Sequence, residues 1–99
     1  MRLTPAQIDT IKSTSTAVLG EGVQVTLFGS RVDDAAKGGD VDLMIEVSEA
    51  LPEPALVSAR IASRVSRAMH GRRVDLLLKA PNLLEQPIHR IAQQEGIRL

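Results

Sequence analysis

LFGSR at residues 27–31 and GGDVDL at residues 38–43 are the two stretches around which this chain of 99 residues is organised. In the first, an apolar strand ends at Gly29, whose missing Cβ permits a tight turn with positive φ and lets backbone N–H groups approach a ligand closely. Ser30 adds a hydroxyl where a helix N-terminus would begin. Because turns of this composition hold phosphate groups, we predict a phosphate-binding turn here.

The second stretch carries two carboxylates, Asp40 and Asp42, which lie two residues apart. Side chains at positions i and i+2 of a strand point to the same face of a sheet, with Cα atoms roughly 6 to 7 Å apart. Carboxylates at this spacing can bind divalent cations, because Mg²⁺ prefers oxygen ligands. We expect Val41 and Leu43 to point the other way, into the core.

The rest of the chain alternates helical and extended patterns around these stretches. The predicted elements are a helix from Pro5 to about Gly20, a strand over 23–28, a short helix and loop over 31–39, a strand over 40–47, a helix from about Pro54 to Gly71, a strand over 73–78, a helix from Pro87 to Gly96 and a short edge strand over 97–99. This order predicts an α/β (α+β) fold in a single domain over residues 1–99. Its small mixed sheet would carry helices mainly on one face and the chemistry on the other.

Asp75 is an isolated acid within the apolar strand pattern at 73–78. Burying a carboxylate without a partner would cost several kcal/mol, so this side chain must meet a cation, a metal or solvent at a face of the sheet. It is therefore a natural third carboxylate beside Asp40 and Asp42. The plain alternative is a salt bridge with Arg73 or Arg31, in which Asp75 has no chemical role.

Composition limits the class of protein. With 43% hydrophobic and 24% charged residues the chain is typical of a folded globular protein, and no apolar run reaches the roughly 18 residues of a membrane span. A formal net charge of zero argues against general nucleic-acid binding, and one aromatic residue leaves almost no surface for base stacking. Cysteine is absent, which excludes disulfides and thiolate metal sites, and no signal region is visible, so we expect a cytoplasmic protein.

Two further patterns have plain structural explanations. Arg60, Arg64 and Arg67 recur at helical spacing and are expected to form the solvated face of a helix. His70 and His89 lack the spacing of metal ligands, so surface or capping roles are expected for both.

The combination of Gly29-Ser30 after one strand, Asp40-Val41-Asp42 on the next and Asp75 on a third resembles the nucleotidyltransferase superfamily that includes DNA polymerase β. The closer resemblance is to its smallest members, the minimal nucleotidyltransferase (MNT) proteins. It covers most of the chain, from about Val23 to Leu78, and the tail from Ile88 to Leu99 is also similar to theirs. Gly-Ser alone carries no information, whereas Gly-Ser joined to Gly-x-Asp-x-Asp and to a later Asp in an apolar strand is specific.

The resemblance implies a minimal nucleotidyltransferase domain that moves a nucleoside monophosphate, AMP from the substrate ATP, to a hydroxyl and releases pyrophosphate. Two Mg²⁺ ions are implied as cofactors. The implied site residues are Asp40, Asp42 and Asp75 as catalytic residues and metal ligands, and Gly29, Ser30 and Arg31 as phosphate-binding residues. Asp75 is also the candidate base for the proton of the acceptor hydroxyl.

The resemblance also implies a partner. Proteins similar to this one accompany a HEPN-domain toxin as its antitoxin, and the acceptor is then a tyrosine of that toxin. Two alternatives stay open. One is a non-catalytic antitoxin or binding module that neutralises its partner by contact alone; the other is an enzyme that modifies a small hydroxylated compound such as an aminoglycoside, with a pocket that would require a homodimer.

Overall fold

The structure, a computed structural model, describes residues 3–29 and 40–99. In this part of the chain the elements are α1 (Pro5–Leu19), β1 (Gln24–Phe28), β2 (Val41–Glu46), α2 (Pro54–Ala68), β3 (Val74–Lys79), α3 (Pro87–Glu95) and β4 (Ile97–Arg98). The predicted order of helices and strands is confirmed here, including the short edge strand. The short helix and loop predicted over 31–39 lie outside the described residues.

The described strands form one mixed sheet in the order β3-β2-β1-β4. Strand β1 is antiparallel to both β2 and β4, whereas β2 is parallel to β3. A parallel pair needs a long crossover connection, and helix α2 supplies it. The small mixed α/β fold predicted from the sequence is therefore confirmed.

Helix α1 begins with a reciprocal cap. Thr4 Oγ1 accepts the backbone N–H of Gln7 at 3.1 Å, and Gln7 Oε1 accepts the backbone N–H of Thr4 at 2.9 Å. Pro5 occupies the first turn, where its missing N–H has no intrahelical partner to lose. This reciprocal cap fixes where the helix starts.

The core lies between the sheet and helices α1 and α2. Side chains of a strand alternate between its two faces, so every second residue of β1, β2 and β3 points towards these helices. Two rows of paired residues cross this face, Leu27–Leu43–Leu76 and Val25–Ile45–Leu78. Ile11 of α1 and Ile61 and Val65 of α2 are fully buried in the same cluster. The same alternation sends the aspartates of β2 and β3 to the opposite face.

Helix α3 lies on that opposite face. Thr26 and Met44 point to it and are nevertheless buried, with 6% and 1% of their surface exposed, and Ala92 of α3 is fully buried. Gly96, at the end of α3, lies so close to Thr26 that a Cβ on the glycine would collide with the threonine methyl group. Helix α3 therefore covers the middle of this face, and the expectation of helices mainly on one face holds for two of the three described helices.

His89 fastens α3 to the sheet. Its side chain is 3% exposed, Nδ1 accepts the backbone N–H of Gln86 at 2.9 Å, and Nε2 lies 2.9 Å from the backbone oxygen of Leu78 on β3. Because Nδ1 accepts a hydrogen bond, the ring proton is assigned to Nε2, which donates to Leu78. The predicted capping role is confirmed for His89, whereas a surface position is wrong because the ring joins a helix start to a neighbouring strand.

Replacing His89 by alanine is expected to lower the free energy of unfolding by about 2 to 4 kcal/mol, because two hydrogen bonds are lost and a cavity is left beside β3. Urea denaturation followed by circular dichroism measures the change. Ile91→Ala on the same helix is the matched control, because Ile91 is 50% exposed and its truncation should cost less than about 1 kcal/mol. Equal losses for the two variants would contradict the fastening role.

The remaining surface agrees with the plain expectations. Arg60, Arg64 and Arg67 are exposed along α2, as predicted for a solvated helix face, and Arg67 Nη2 donates to Ser63 Oγ at 3.2 Å. His70 is exposed where α2 ends. None of the helices in the described part of the chain has the length and hydrophobicity of a membrane-spanning segment.

Candidate active site

One row of paired residues brings two of the predicted acids together. The strands pair so that Phe28, Asp42 and Asp75 are neighbours in register across β1, β2 and β3. Paired residues of adjacent strands lie about 5 Å apart and point to the same face. Asp42 and Asp75 therefore stand side by side, although the whole of α2 separates them along the sequence.

This acidic row, Phe28–Asp42–Asp75, lies at the edge of the face that α3 covers. The next row on the same face is Thr26–Met44–Leu77, where Thr26 and Met44 are buried. Beyond this cover Asp42 is only half-buried, and the side chain of Asp75 is 43% exposed. The two carboxylates are thus open to a ligand from solvent.

The environment of Asp42 disfavours its negative charge. Partial burial raises the pKa of Asp42 above its usual value, and the neighbouring charges of Asp75 and Asp40 raise this pKa further, while the charge of Arg73 lowers it. The Asp75 side chain beside it acts in the same direction on the pKa of Asp42. A positive charge placed beside Asp42 and Asp75 would therefore favour the charged form of Asp42.

The turn predicted at Gly29 lies directly against this pair. Gly29 has a φ of +76°, a backbone conformation that glycine adopts without steric cost. A Cβ built at this position would collide with Oδ2 of Asp42 and lie 3.1 Å from its Cγ. The predicted positive φ is confirmed, and glycine suits this position because the carboxylate of Asp42 fills the space of a side chain. Ser30 and Arg31, the other predicted phosphate-binding residues, lie outside the described residues.

Asp40 stands just before β2 and is exposed. The backbone N–H of Val41, the next residue, donates to the backbone oxygen of Arg73 at 2.9 Å, so Asp40 is held near the start of β3. Within residues 3–29 and 40–99, however, no three His, Asp or Glu side chains form a group arranged to hold a metal ion. The structure pairs Asp42 with Asp75 and places Asp40 within electrostatic range, and the full three-carboxylate metal set stays a prediction.

Arg73 is a site residue that sequence reasoning considered only as an alternative salt-bridge partner of Asp75. Its Nε donates to Asp75 Oδ1 at 3.0 Å, and the two side chains are 74% and 43% exposed. The contact follows from spacing, because residues 73 and 75 are two apart at the start of a strand and so share a face. The predicted salt bridge between Asp75 and Arg73 is therefore confirmed. Asp75 still lies beside Asp42, so the salt bridge does not remove it from the acidic pair.

The donor set suits Mg²⁺. Asp42 and Asp75 offer carboxylate oxygens, and Mg²⁺ usually takes one or two carboxylates together with waters and substrate phosphates. A divalent cation would offset the repulsion from Asp75 and Asp40 that helps to raise the pKa of Asp42. The residues present thus fit the metal that the resemblance implies.

Comparison of the sequence with protein-family models and with curated proteins finds no match. The assignment of a function therefore depends on the chemistry of the acidic row and the turn beside it.

Proposed function

We propose that this protein is a Mg²⁺-dependent nucleotidyltransferase that moves AMP from ATP to a hydroxyl and releases pyrophosphate. The observation that carries the proposal is the pairing of Asp42 with Asp75 on parallel strands, with the Gly29 turn packed against Asp42. Each feature alone is common in proteins. Their combination is what supports the nucleotidyltransferase fold that the sequence resembles.

Asp42 and Asp75, together with Asp40, are the residues that would hold the ions. When bound, Mg²⁺ neutralises charge on the triphosphate and on the departing pyrophosphate. The Gly29 turn leads into Ser30 and would present backbone N–H groups to the phosphates. The burial of Asp42 under this turn fixes one carboxylate in place.

Asp75 is the residue proposed to receive the proton of the acceptor. Its exposed carboxylate can meet a hydroxyl that arrives from solvent, as a general base must. The acceptor oxygen forms a bond to the α-phosphorus of ATP, the bond to the bridging oxygen breaks, and pyrophosphate leaves with that electron pair. The proton of the hydroxyl passes to Asp75.

The acceptor in this proposal is a tyrosine of a HEPN-domain toxin, as the resemblance implies, and the protein acts as the antitoxin in the cytoplasm. The acidic row supports an acceptor delivered by another molecule, because it is open to solvent. The cavities lined by the α1–β1 turn and by the outer side of α3 do not include Asp42 or Asp75, so neither of them would hold an acceptor beside the acidic row.

The experiment that tests the proposal uses the purified protein, Mg²⁺ and the protein encoded by the adjacent gene. ATP labelled on the α-phosphate should transfer its label to that protein, whereas ATP labelled on the γ-phosphate should not, because a nucleotidyl group moves. Asp75→Asn is expected to reduce transfer by at least about 100-fold while leaving the fold intact. Asp9→Asn, on the exposed side of α1, is the matched control and should transfer normally. Near-normal activity of Asp75→Asn would refute its role.

A second candidate is a binding module that neutralises its partner by contact alone. The observation in its favour is a group of exposed apolar side chains at and just before α3: Leu84 at 82% exposure, Ile88 at 43% and Ile91 at 50%. The same assay separates the two functions. No label transfer, together with equal neutralisation by a protein carrying both Asp40→Asn and Asp42→Asn, would favour the binding module.

A further inference from the structure

Arg73 has a backbone fixed in the sheet and a largely exposed side chain. Its backbone oxygen accepts the N–H of Val41 at 2.9 Å, so its main chain is part of the hydrogen bonding between β2 and β3. Its side chain is 74% exposed, and its Nε donates a 3.0 Å hydrogen bond to Asp75 Oδ1. An arginine placed in this way can move its guanidinium without disturbing the sheet.

The ion pair between Arg73 and Asp75 contributes little to the stability of the fold. A pair between side chains that are 74% and 43% exposed is screened by water, and exposed pairs contribute about 0 to 1 kcal/mol. The position of the charge is more informative. It acts on Asp42 as well as on Asp75, so one guanidinium offsets charge on both members of the acidic pair.

We propose that Arg73 is a positioning residue that serves as the built-in counter-cation of Asp42 and Asp75 and leaves Asp75 when a divalent cation and a nucleotide bind. A guanidinium and a divalent cation compete for the lone pairs of the same carboxylate oxygens. Arg73 therefore weakens metal binding to the protein without nucleotide. The planar fork of a guanidinium also matches phosphate oxygens, so the displaced side chain gains a partner when the triphosphate arrives.

This exchange couples the two ligands. The nucleotide stabilises the displaced position of Arg73, which frees Asp75 for the metal, and the metal in turn frees Arg73 for the nucleotide; such coupling is reciprocal. The identity of the nucleotide as ATP is the part of the inference that rests on the proposed function.

Isothermal titration calorimetry tests the exchange without any transfer reaction. With Mg²⁺ alone, Arg73→Gln is expected to bind the ion about two- to fivefold more tightly than wild type, the range that loss of one exposed ion pair allows. With saturating Mg²⁺, the same variant should bind α,β-methylene-ATP about tenfold more weakly, because a charge-assisted contact to phosphate is missing. Arg73→Lys should keep the competition with Mg²⁺ but recover nucleotide affinity only in part.

Arg90→Gln is the matched control, since Arg90 is an exposed arginine on α3, and both of its affinities should equal those of wild type. Mg²⁺ affinity that is unchanged or weaker in Arg73→Gln would overturn the inference, as would a lack of Mg²⁺ binding in wild type and variant alike. Opposite shifts of the two affinities in a protein that transfers no label would support Arg73 and reject the proposed reaction. Label transfer with unchanged affinities would do the reverse.

Discussion

Gly29→Ala should reduce nucleotide transfer by at least about 100-fold and lower the free energy of unfolding by about 2 to 4 kcal/mol. Part of this loss is backbone strain, because a residue with a Cβ in the left-handed region costs roughly 1 to 2 kcal/mol and Gly29 has a φ of +76°. The rest is steric, since the new methyl group would collide with Asp42 Oδ2. Displacing a catalytic carboxylate by about 1 Å can reduce the rate by about 100-fold, so we expect transfer to fall by at least that factor.

Gly71→Ala separates the two causes. Gly71 has a φ of +80°, close to that of Gly29, but a Cβ there would meet nothing within 4 Å. The control variant should therefore lose only the backbone part, about 1 to 2 kcal/mol, and keep full transfer activity. Urea denaturation and the label-transfer assay measure the two effects on the same preparations. If both alanine variants lost equal stability and equal activity, the contact between the Gly29 turn and Asp42 would have no functional meaning.

Asp42→Asn should make the metal-free protein more stable at about pH 7 and yet reduce transfer by at least about 100-fold. The folded protein disfavours the charge of Asp42, first through burial and then through repulsion by Asp75 and Asp40. An amide has the same shape, carries no charge and can donate a hydrogen bond to Asp75. The variant therefore loses a repulsive charge together with a metal ligand, and stability and function change in opposite directions.

The raised pKa of Asp42 also predicts how the free energy of unfolding changes with pH. Because the pKa of Asp42 is raised in the folded state, the folded protein binds more protons than the unfolded chain at mildly acidic pH. The stability that Asp42 contributes is complete below its usual pKa of 3.8 and is lost as the pH rises through the raised value.

Urea denaturation between about pH 4 and pH 8 should show this loss in wild type and in the Asp9→Asn control. In Asp42→Asn the loss should be smaller, and added Mg²⁺ should stabilise wild type but not this variant. An Asp42→Asn protein that is less stable than wild type at neutral pH would contradict the assigned environment of Asp42.

Much of the fold was predictable because its signals are local. Thr4, Pro5 and Gln7 specify the start of α1 through hydrogen bonds within one helical turn. The alternation of apolar and acidic residues in β2 separates a core face from a chemical face, because the period of a strand is two. The positive φ of Gly29 was also predictable from a local signal, because a glycine directly follows the strand and tolerates this conformation.

The features that escaped prediction depend on contacts between distant segments. That Asp75 lies beside Asp42 was predicted, but the register that pairs them was not. It is set by how β2 and β3 pack under α2, and a slip of one residue would send either acid to the other face. The position of α3 on the acidic face was equally hidden, because its inner side presents His89 and Ala92 rather than an apolar stripe. The spacing of Arg73 and Asp75 predicted that they could form a salt bridge, but it did not decide between Arg73 and Arg31 as the partner.

The parallel pairing of β2 with β3 has a consequence for folding. Asp42 and Asp75 become neighbours only after α2 has closed the crossover between the two strands, so a ligand that bridges both carboxylates can bind the native chain but not the unfolded one. Such a ligand stabilises the fold by mass action, by about 2.7 kcal/mol when its concentration is 100 times its dissociation constant. Binding of the ligand to these two carboxylates would then show that the whole β2–α2–β3 unit has folded. The concentration of the ligand in the cell would help to set the fraction of the protein that is folded.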